Sequence, residues 1–294
     1  MAYSNLLVGA GAAPATITVR RIGVEDLKIA LSRGFEDFLA MPSHAVFLCL
    51  FYPLAGLVLA RIAFGYSVLP LIFPLASGFA LVGPFAALGL YELSRRRESG
   101  LDVNATHAFD VMQSSSIGAI AALGVLFLAI FGVWLAVADA IYVGDFGYAP
   151  PESIGAFLRD VFTTSAGWNL IVVGNGIGLL FAAVVLTIGV VSFPLLLDHD
   201  VGAAVALKTS IEAVVRNPAI MALWGLIVAA LLVLASLPAF LGLAVVLPVL
   251  GHATWHLYRR TVDADGTPRP QVTPRPQRDR SGADFPVNLL PWKR

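Results

Sequence analysis

The sequence predicts an all-α membrane protein: six transmembrane helices arranged as three hairpins, each hairpin preceded by an amphipathic helix on the cytoplasmic side. Three observations predict it. Hydrophobic residues make up 58% of the chain and charged residues 13%, about half the charged fraction of an ordinary soluble domain. Uncharged, largely apolar runs extend from Phe38 to Ala60, Ile62 to Tyr91, Val111 to Ala138, Val161 to Leu197 and Asn217 to Tyr258, each longer than the ~20 residues a membrane helix needs. When six crossings are drawn through those runs, the basic residues sort to one side.

Taken in chain order, the first nineteen residues carry no charged side chain and no long apolar core. Residues 1–22 therefore read as a retained, flexible N-terminus, with the first span directing insertion. From Val24, Leu27, Leu31, Phe35 and Phe38 recur at helical spacing behind Glu25 and Asp26, the pattern of an amphipathic helix on a membrane surface. The transmembrane domain occupies residues 23–260, with spans at about 45–64, 68–93, 117–142, 169–197, 219–236 and 238–258. The last two share one run, divided at Ser236-Leu237-Pro238 because proline removes a backbone donor and clashes with the preceding turn. Asp139 to Trp168 is the only sizeable external segment, and its Asp, Gly, Tyr and Pro content is that of a solvated turn.

Beyond Arg260, residues 261–294 are rich in proline and arginine and nearly free of apolar side chains, so they are expected to be disordered. Thr-Pro-Arg-Pro occurs at 267 and again at 273. Attraction of its arginines to anionic headgroups is the simpler reading and a proline-rich ligand the alternative. The end, Phe285 to Arg294, has Leu289, Leu290 and Trp292 placed to touch the membrane surface.

Six crossings put both termini on one side. That side holds Arg20, Arg21, Lys28, Arg33, Arg95, Arg96, Arg97, Lys208 and Arg216 even without the tail, against Arg61 and Arg159 on the other. The bias places both termini in the cytoplasm. Formal net charge is zero, and no nucleic-acid partner is implied. Cys49, the single cysteine, excludes an intramolecular disulfide and any multi-cysteine metal site, and reads as a small buried hydrophobe.

The chain also repeats itself. ALSRGFEDFLAMPSHAVFLCL from Ala30 aligns without a gap on ALKTSIEAVVRNPAIMALWGL from Ala206, and PFAALGLYELSRR from Pro84 aligns on PVLGHATWHLYRR from Pro248. In the second copy, Val205, Ile211, Val214 and Val215 form the apolar side of the amphipathic helix. Asp102 to Phe109 faintly matches Asp200 to Leu207, so the three hairpin units are read with the first and third clearly related. All three amphipathic helices fall on one side, giving parallel rather than inverted repeats.

Gly83 to Glu98, Phe193 to Asp198, Asn217-Pro218 and the ending Gly251 to Arg260 together resemble the bacterial integral-membrane family called domain of unknown function 2189. The resemblance runs over roughly residues 20–260 and implies a multi-spanning inner-membrane protein with no established activity. Some relatives carry labels as cytochrome oxidase subunit I. That chemistry needs more intramembrane histidines than this chain supplies, since His44, His107 and His199 sit at or outside span ends.

Candidate sites are few. His252 and His256 stand one helical turn apart, so both rings can face one metal or haem. The simpler reading is an interfacial belt of Trp255, His256 and Tyr258 above Arg259 and Arg260. The alignment sets Glu92 opposite His256, at the same depth if the hairpins pack with pseudo-symmetry. Arg95, Arg96 and Arg97, with Arg259 and Arg260, are placed for anionic lipid or for stop-transfer anchoring. Gly174 and Gly178 allow close helix contact. Asn169 and Asn175 are candidate pathway residues or interhelical hydrogen-bonding groups, and Asp200 is an expected N-cap. No phosphate loop, nucleophile triad or paired intramembrane carboxylates point to an enzyme, and no cofactor is expected.

The expected function is that of a non-enzymatic scaffold or assembly factor. A small-solute or ion transporter lined by Asn175, Glu92 and His256 is the first alternative, and a metal- or haem-binding protein using His252 and His256 the second. The expected partners are the lipid bilayer and its anionic headgroups, with a membrane protein or a second copy of the chain also considered.

Overall fold

The computed structural model describes residues 17–41, 74, 83, 87–148, 151, 153–238, 241–264, 266–267 and 269–270. Most of the first two predicted spans, Cys49 and the tail from 271 lie outside them. The described chain is mostly helical. Strand β1 (Thr18–Val19) leads into α1 (Val24–Ala40), and α2 (Leu88–Glu98) is followed by a 3₁₀ helix (Ala105–Gln113). Then come α3 (Ile117–Phe146), α4 (Ile154–Thr163), α5 (Ser165–Gly189), α6 (Ser192–Asp198), α7 (Ala203–Arg216), α8 (Pro218–Ser236) and α9 (Leu243–Thr261), closed by β2 (Val262–Asp263).

Among the described residues, three stretches are long and apolar enough to cross a membrane: Ile117–Phe146, Ser165–Asp198 and Pro218–Ser236. Each matches a predicted span to within a few residues. Their outward faces carry bare Val125, Leu128, Val133, Val172, Leu179, Leu180, Leu226 and Val233, as lipid-facing surfaces do. Phe127 meets Phe193 edge-on at 5.1 Å, and Trp134 leans on Phe181 at 5.4 Å.

At one end of these spans, α1, α2, the 3₁₀ helix, α6, α7 and the second half of α9 pack into a dense polar cap. The largest contact is α1 on α9. Gly34 makes it, because a β-carbon there would sit 2.6 Å from the Ala253 nitrogen and 2.7 Å from its Cβ. The chain ends are tied over this contact. β1 pairs antiparallel with β2, Thr18 opposite Asp263 and Val19 opposite Val262. The Asn217 side chain accepts from Ile22 N–H at 2.9 Å and donates to Arg20 C=O at 3.0 Å, so it acts like a short piece of strand.

Several expectations change. In α1 the buried stripe is Leu27, Ala30, Gly34, Asp37 and Phe38, while Phe35 is exposed. In α7 it is Ala203, Ala206, Thr209, Ser210 and Ala213, while Ile211 and Val215 are exposed. α7 therefore turns mainly small residues toward protein, whereas α1 combines Ala30 and Gly34, which let backbones approach closely, with Leu27, Asp37 and Phe38. The segment read as a solvated turn holds helix α4. The fourth span does not run unbroken: regular α5 stops at Gly189 and α6 begins at Ser192, since Pro194 has no N–H to return to Val190. At the break, Ser210 Oγ accepts from Val191 N–H at 3.2 Å and donates to Thr187 C=O at 2.8 Å, bridging two groups of the interrupted turn. Asp200 does not cap α7, which starts from Gly202 at φ 77°. Asp200 accepts from Ser115 Oγ at 3.2 Å. The last helix starts at Leu243 rather than 238 and carries Pro248 within it.

Candidate functional site

The described polar groups concentrate where α1, α2 and α9 meet. Asp37 enters this junction because it lies three residues after Gly34 on the buried face of α1. Its carboxylate is 3% exposed, so each lone pair needs a donor. Ser94 Oγ of α2 donates to Asp37 Oδ2 at 2.6 Å, and His256 Nε2 of α9 approaches the same oxygen at 2.9 Å. Arg97 pairs with Asp37 Oδ1. Since Ser94 has one proton and gives it to Asp37, the 2.7 Å contact to His252 Nδ1 is a hydrogen bond that His252 donates. The chain of donors is thus His252 to Ser94 to Asp37, met from the other side by His256. His252 Nε2 and His256 Nδ1 are buried without a hydrogen-bonding partner.

The charge state of Asp37 follows from this geometry. Burial works to raise its pKa, but the hydrogen bonds from His256 and Ser94 outweigh burial and hold it below the usual carboxylate value. The trio Ser94, His252 and Asp37 has the residue types of a hydrolase triad without its roles. Asp37 takes the serine proton directly, and Ser94 is fully buried, so no acyl group can reach its oxygen.

A second network backs the first from the far side of α9. Asp198 Oδ2 accepts from Tyr258 at 3.0 Å, and Arg259 Nη1 lies 3.1 Å from it. Glu98 accepts from Trp255 Nε1 at 2.9 Å and from Arg259 Nε at 3.2 Å. His199 lies between Asp198, at 3.2 Å, and the Thr267 carbonyl, also at 3.2 Å.

These networks account for most of the residues singled out in the sequence. His252 and His256 do share a face, but each turns a nitrogen to α1 or α2. Among the described residues, no group of three or more His, Cys, Asp or Glu side chains is arranged to hold a metal ion. Glu92 does not reach His256; its carboxylate takes two bonds from Arg95, at 2.8 and 2.7 Å, with Arg96 3.7 Å away. Arg96 also pairs with Asp110 at 3.3 Å, Arg259 with Glu98 and Asp198, and Arg260 with Asp26 at 2.5 Å. All five arginines assigned to lipid are therefore already committed to carboxylates of the protein. Asn169 donates to Asp145 at 2.8 Å at the far end of the spans, and Asn175 donates to Ile171 C=O of its own turn at 2.7 Å, not to another helix. A β-carbon on Gly178 would lie 3.1 Å from the Trp134 ring, whereas among the described residues nothing lies within 4 Å of one on Gly174.

With the apolar spans and the polar cap both described, the comparisons agree with the resemblance read from the sequence. Residues 71–198 match the family model of a predicted integral membrane protein, DUF2189. The match takes in the Gly83–Glu98 and Phe193–Asp198 motifs, while Asn217-Pro218 and Gly251–Arg260 lie beyond it. No curated protein and no solved structure matches the chain.

Asp37 was not anticipated as a site residue, nor was Ser94. The signal for Asp37 was present: a charged side chain between Gly34 and Phe38 on the stripe of a helix otherwise filled by apolar and small residues.

Proposed function

We propose that this protein is a non-enzymatic membrane scaffold or assembly factor of the bacterial inner membrane, with both termini cytoplasmic. Its architecture in this reading is six spans in three hairpin units, each opened by a cap helix. The observation that carries the reading is how the cap helices are used. α1 packs on α9, the 3₁₀ helix on α2, and α7 on α5 and α6. Each cap helix thus sits on the exit segment of the preceding unit, with the first unit sitting on the last, which closes the three units into a ring. Ala30, Ala108 and Ala206 occupy equivalent places in the three units and are all buried, at 0%, 6% and 0% exposure. Buried positions recur between α1 and α7, with Leu27, Ala30, Gly34 and Asp37 opposite Ala203, Ala206, Ser210 and Ala213, while buried Thr209 falls opposite exposed Arg33.

The transporter alternative has less support, because Glu92, Asn175 and His256 each bond elsewhere and do not line one path. The metal or haem alternative has less support because His252 and His256 already serve Ser94 and Asp37.

Thiol labelling tests the choice. In a Cys49→Ala background in sealed vesicles, Asn175→Cys and Glu92→Cys are each exposed to a membrane-impermeant reagent. The scaffold reading expects protection at both positions from both sides, and labelling at both overturns it in favour of an aqueous path. A reporter fused after Arg294 that is active only outside the cytoplasm overturns the orientation. For the metal alternative, metal bound in stoichiometric amount and lost in His256→Ala would revive it.

A further inference from the structure

Helix α4 was unexpected, and its surroundings assign it a partner. α3 has 30 residues, so α4 begins about 45 Å along the span from the cap end at 1.5 Å per residue. With 10 residues it is far too short to cross a bilayer. Its sequence, Ile154 to Thr163, divides cleanly by face. Phe157, Leu158, Val161 and Phe162 lie along one side, and Arg159, Asp160 and Thr163 along the other.

Protein covers only part of the apolar side. Phe157 meets Tyr142 at 6.2 Å and Phe146 at 6.4 Å, where those two rings stack on each other at 5.3 Å. Leu158 and Phe162 stay bare, at 48% and 60% exposure, beside Trp168 at 55%. Arg159, Asp160 and Thr163 are exposed as well, so neither solvent alone nor a protein core suits the whole helix.

The corner that joins α4 to α5 fixes this arrangement. Thr164 alone separates them, and its side chain serves both helices. It donates to Asp160 C=O at 2.6 Å to close α4 and accepts from Gly167 N–H at 3.0 Å to open α5. A β-carbon at Gly167 would lie 2.3 Å from the carbonyl oxygens of Asp160 and Val161. The corner is therefore tight, and α4 cannot swing freely away from the spans.

We propose that α4 lies in the membrane interface at the end of the spans opposite the cap, with Leu158, Phe162 and Trp168 in the boundary between headgroups and acyl chains. The bare patch is continuous with a surface already given to lipid: Trp168 begins the row of exposed Val172, Leu179 and Leu180 on α5. Its composition is that of an interfacial helix, apolar and aromatic on one face and charged on the other, near the aromatic residues that favour this depth. In this position α4 anchors the α3–α5 hairpin at one end, as the cap holds it at the other.

The test uses the full-length chain with Cys49→Ala, reconstituted in vesicles of phosphatidylcholine and phosphatidylglycerol. A nitroxide is attached singly at Phe162→Cys, Leu158→Cys and Thr163→Cys. Accessibility to molecular oxygen, which concentrates in lipid, is compared with accessibility to a water-soluble nickel chelate. The expected result is oxygen-dominated relaxation at 162 and 158 and chelate-dominated relaxation at 163, with at least a several-fold difference in the ratio. Equal, chelate-dominated ratios at all three positions mean a solvated loop and overturn the proposal. Low access to both reagents at 158 and 162 means a protein cover, and overturns it equally. Because all three substituted residues are exposed, each label reports without disturbing the packing of the chain.

Discussion

Gly34 in the cap and Gly174 in the spans are both helical glycines, but their surroundings are opposite. A β-carbon on Gly34 would strike the backbone of Ala253 at 2.6 Å, whereas one on Gly174 would meet nothing within 4 Å. The cap is held by close backbone approach and by ion pairs buried against it. The described spans turn much of their apolar surface outward, where lipid substitutes for a protein core and little in the contact is specific. Uniqueness of the fold therefore resides in the cap, and the spans supply residence in the membrane.

The largest expected effect comes from exchanging those glycines. Gly34→Leu should cost at least ~3 kcal/mol or abolish folding, because the obstacle is backbone on a facing helix and cannot move aside. Gly174→Leu should be neutral or should stabilise by up to about 1 kcal/mol through helix propensity. Thermal unfolding and size-exclusion profiles in detergent check both, and equal losses would erase the distinction between cap and spans.

Next comes Asp37→Asn, which takes from the buried Ser94 and His256 the anion they share and from the 40%-exposed Arg97 its partner. It should destabilise by about 1–3 kcal/mol, the scale for leaving a buried polar group unsatisfied, with the exposed arginine adding little. Asn175→Ala, which removes only a bond within one helical turn, should change stability by less than about 0.5 kcal/mol. Combining Asp37→Asn with Arg97→Gln should cost less than the sum of the two, since both remove one interaction.

Acid offers a weaker test of the same difference. Asp37 and Asp26 both have pKa values lowered in the folded protein, and for each burial opposes the shift while hydrogen bonds outweigh it: His256 and Ser94 at Asp37, the Gly23 N–H and Arg260 at Asp26. A depressed carboxylate stabilises the fold above its unfolded pKa of about 3.9 and loses that contribution as pH falls through the lower folded value. Their contribution should therefore be constant from neutral pH to about 5 and decline below about 4. In Asp37→Asn the decline should be shallower, as followed by the unfolding midpoint against pH.

Within the cap, the smallest effect is expected at Arg260, whose pair with Asp26 is at its surface, with side-chain exposures of 43% and 19%. Arg260→Gln should cost no more than about 1 kcal/mol, and raised salt should shrink the difference from wild type.

The membrane class, three spans and the helices α1 and α7 were legible in the sequence, because run length and helical spacing are local properties that each segment carries alone. Which face of each cap helix meets protein was legible in part: Leu27 and Phe38 of α1 are buried and Leu31, Val205 and Val214 pack against the core, whereas Phe35, Ile211 and Val215 are exposed. The polar site was the least visible. Asp37, Ser94 and His256 are separated by 57 and then 162 positions along the chain, and the Gly34–Ala253 crossing of α1 on α9, with α2 packed on α9 near Gly251, brings them within hydrogen-bonding distance. Periodicity and composition determined by themselves where the chain lives and which segments are helical. Tertiary packing alone decided which charges meet, because a buried carboxylate is satisfied by whichever donors the fold delivers to it.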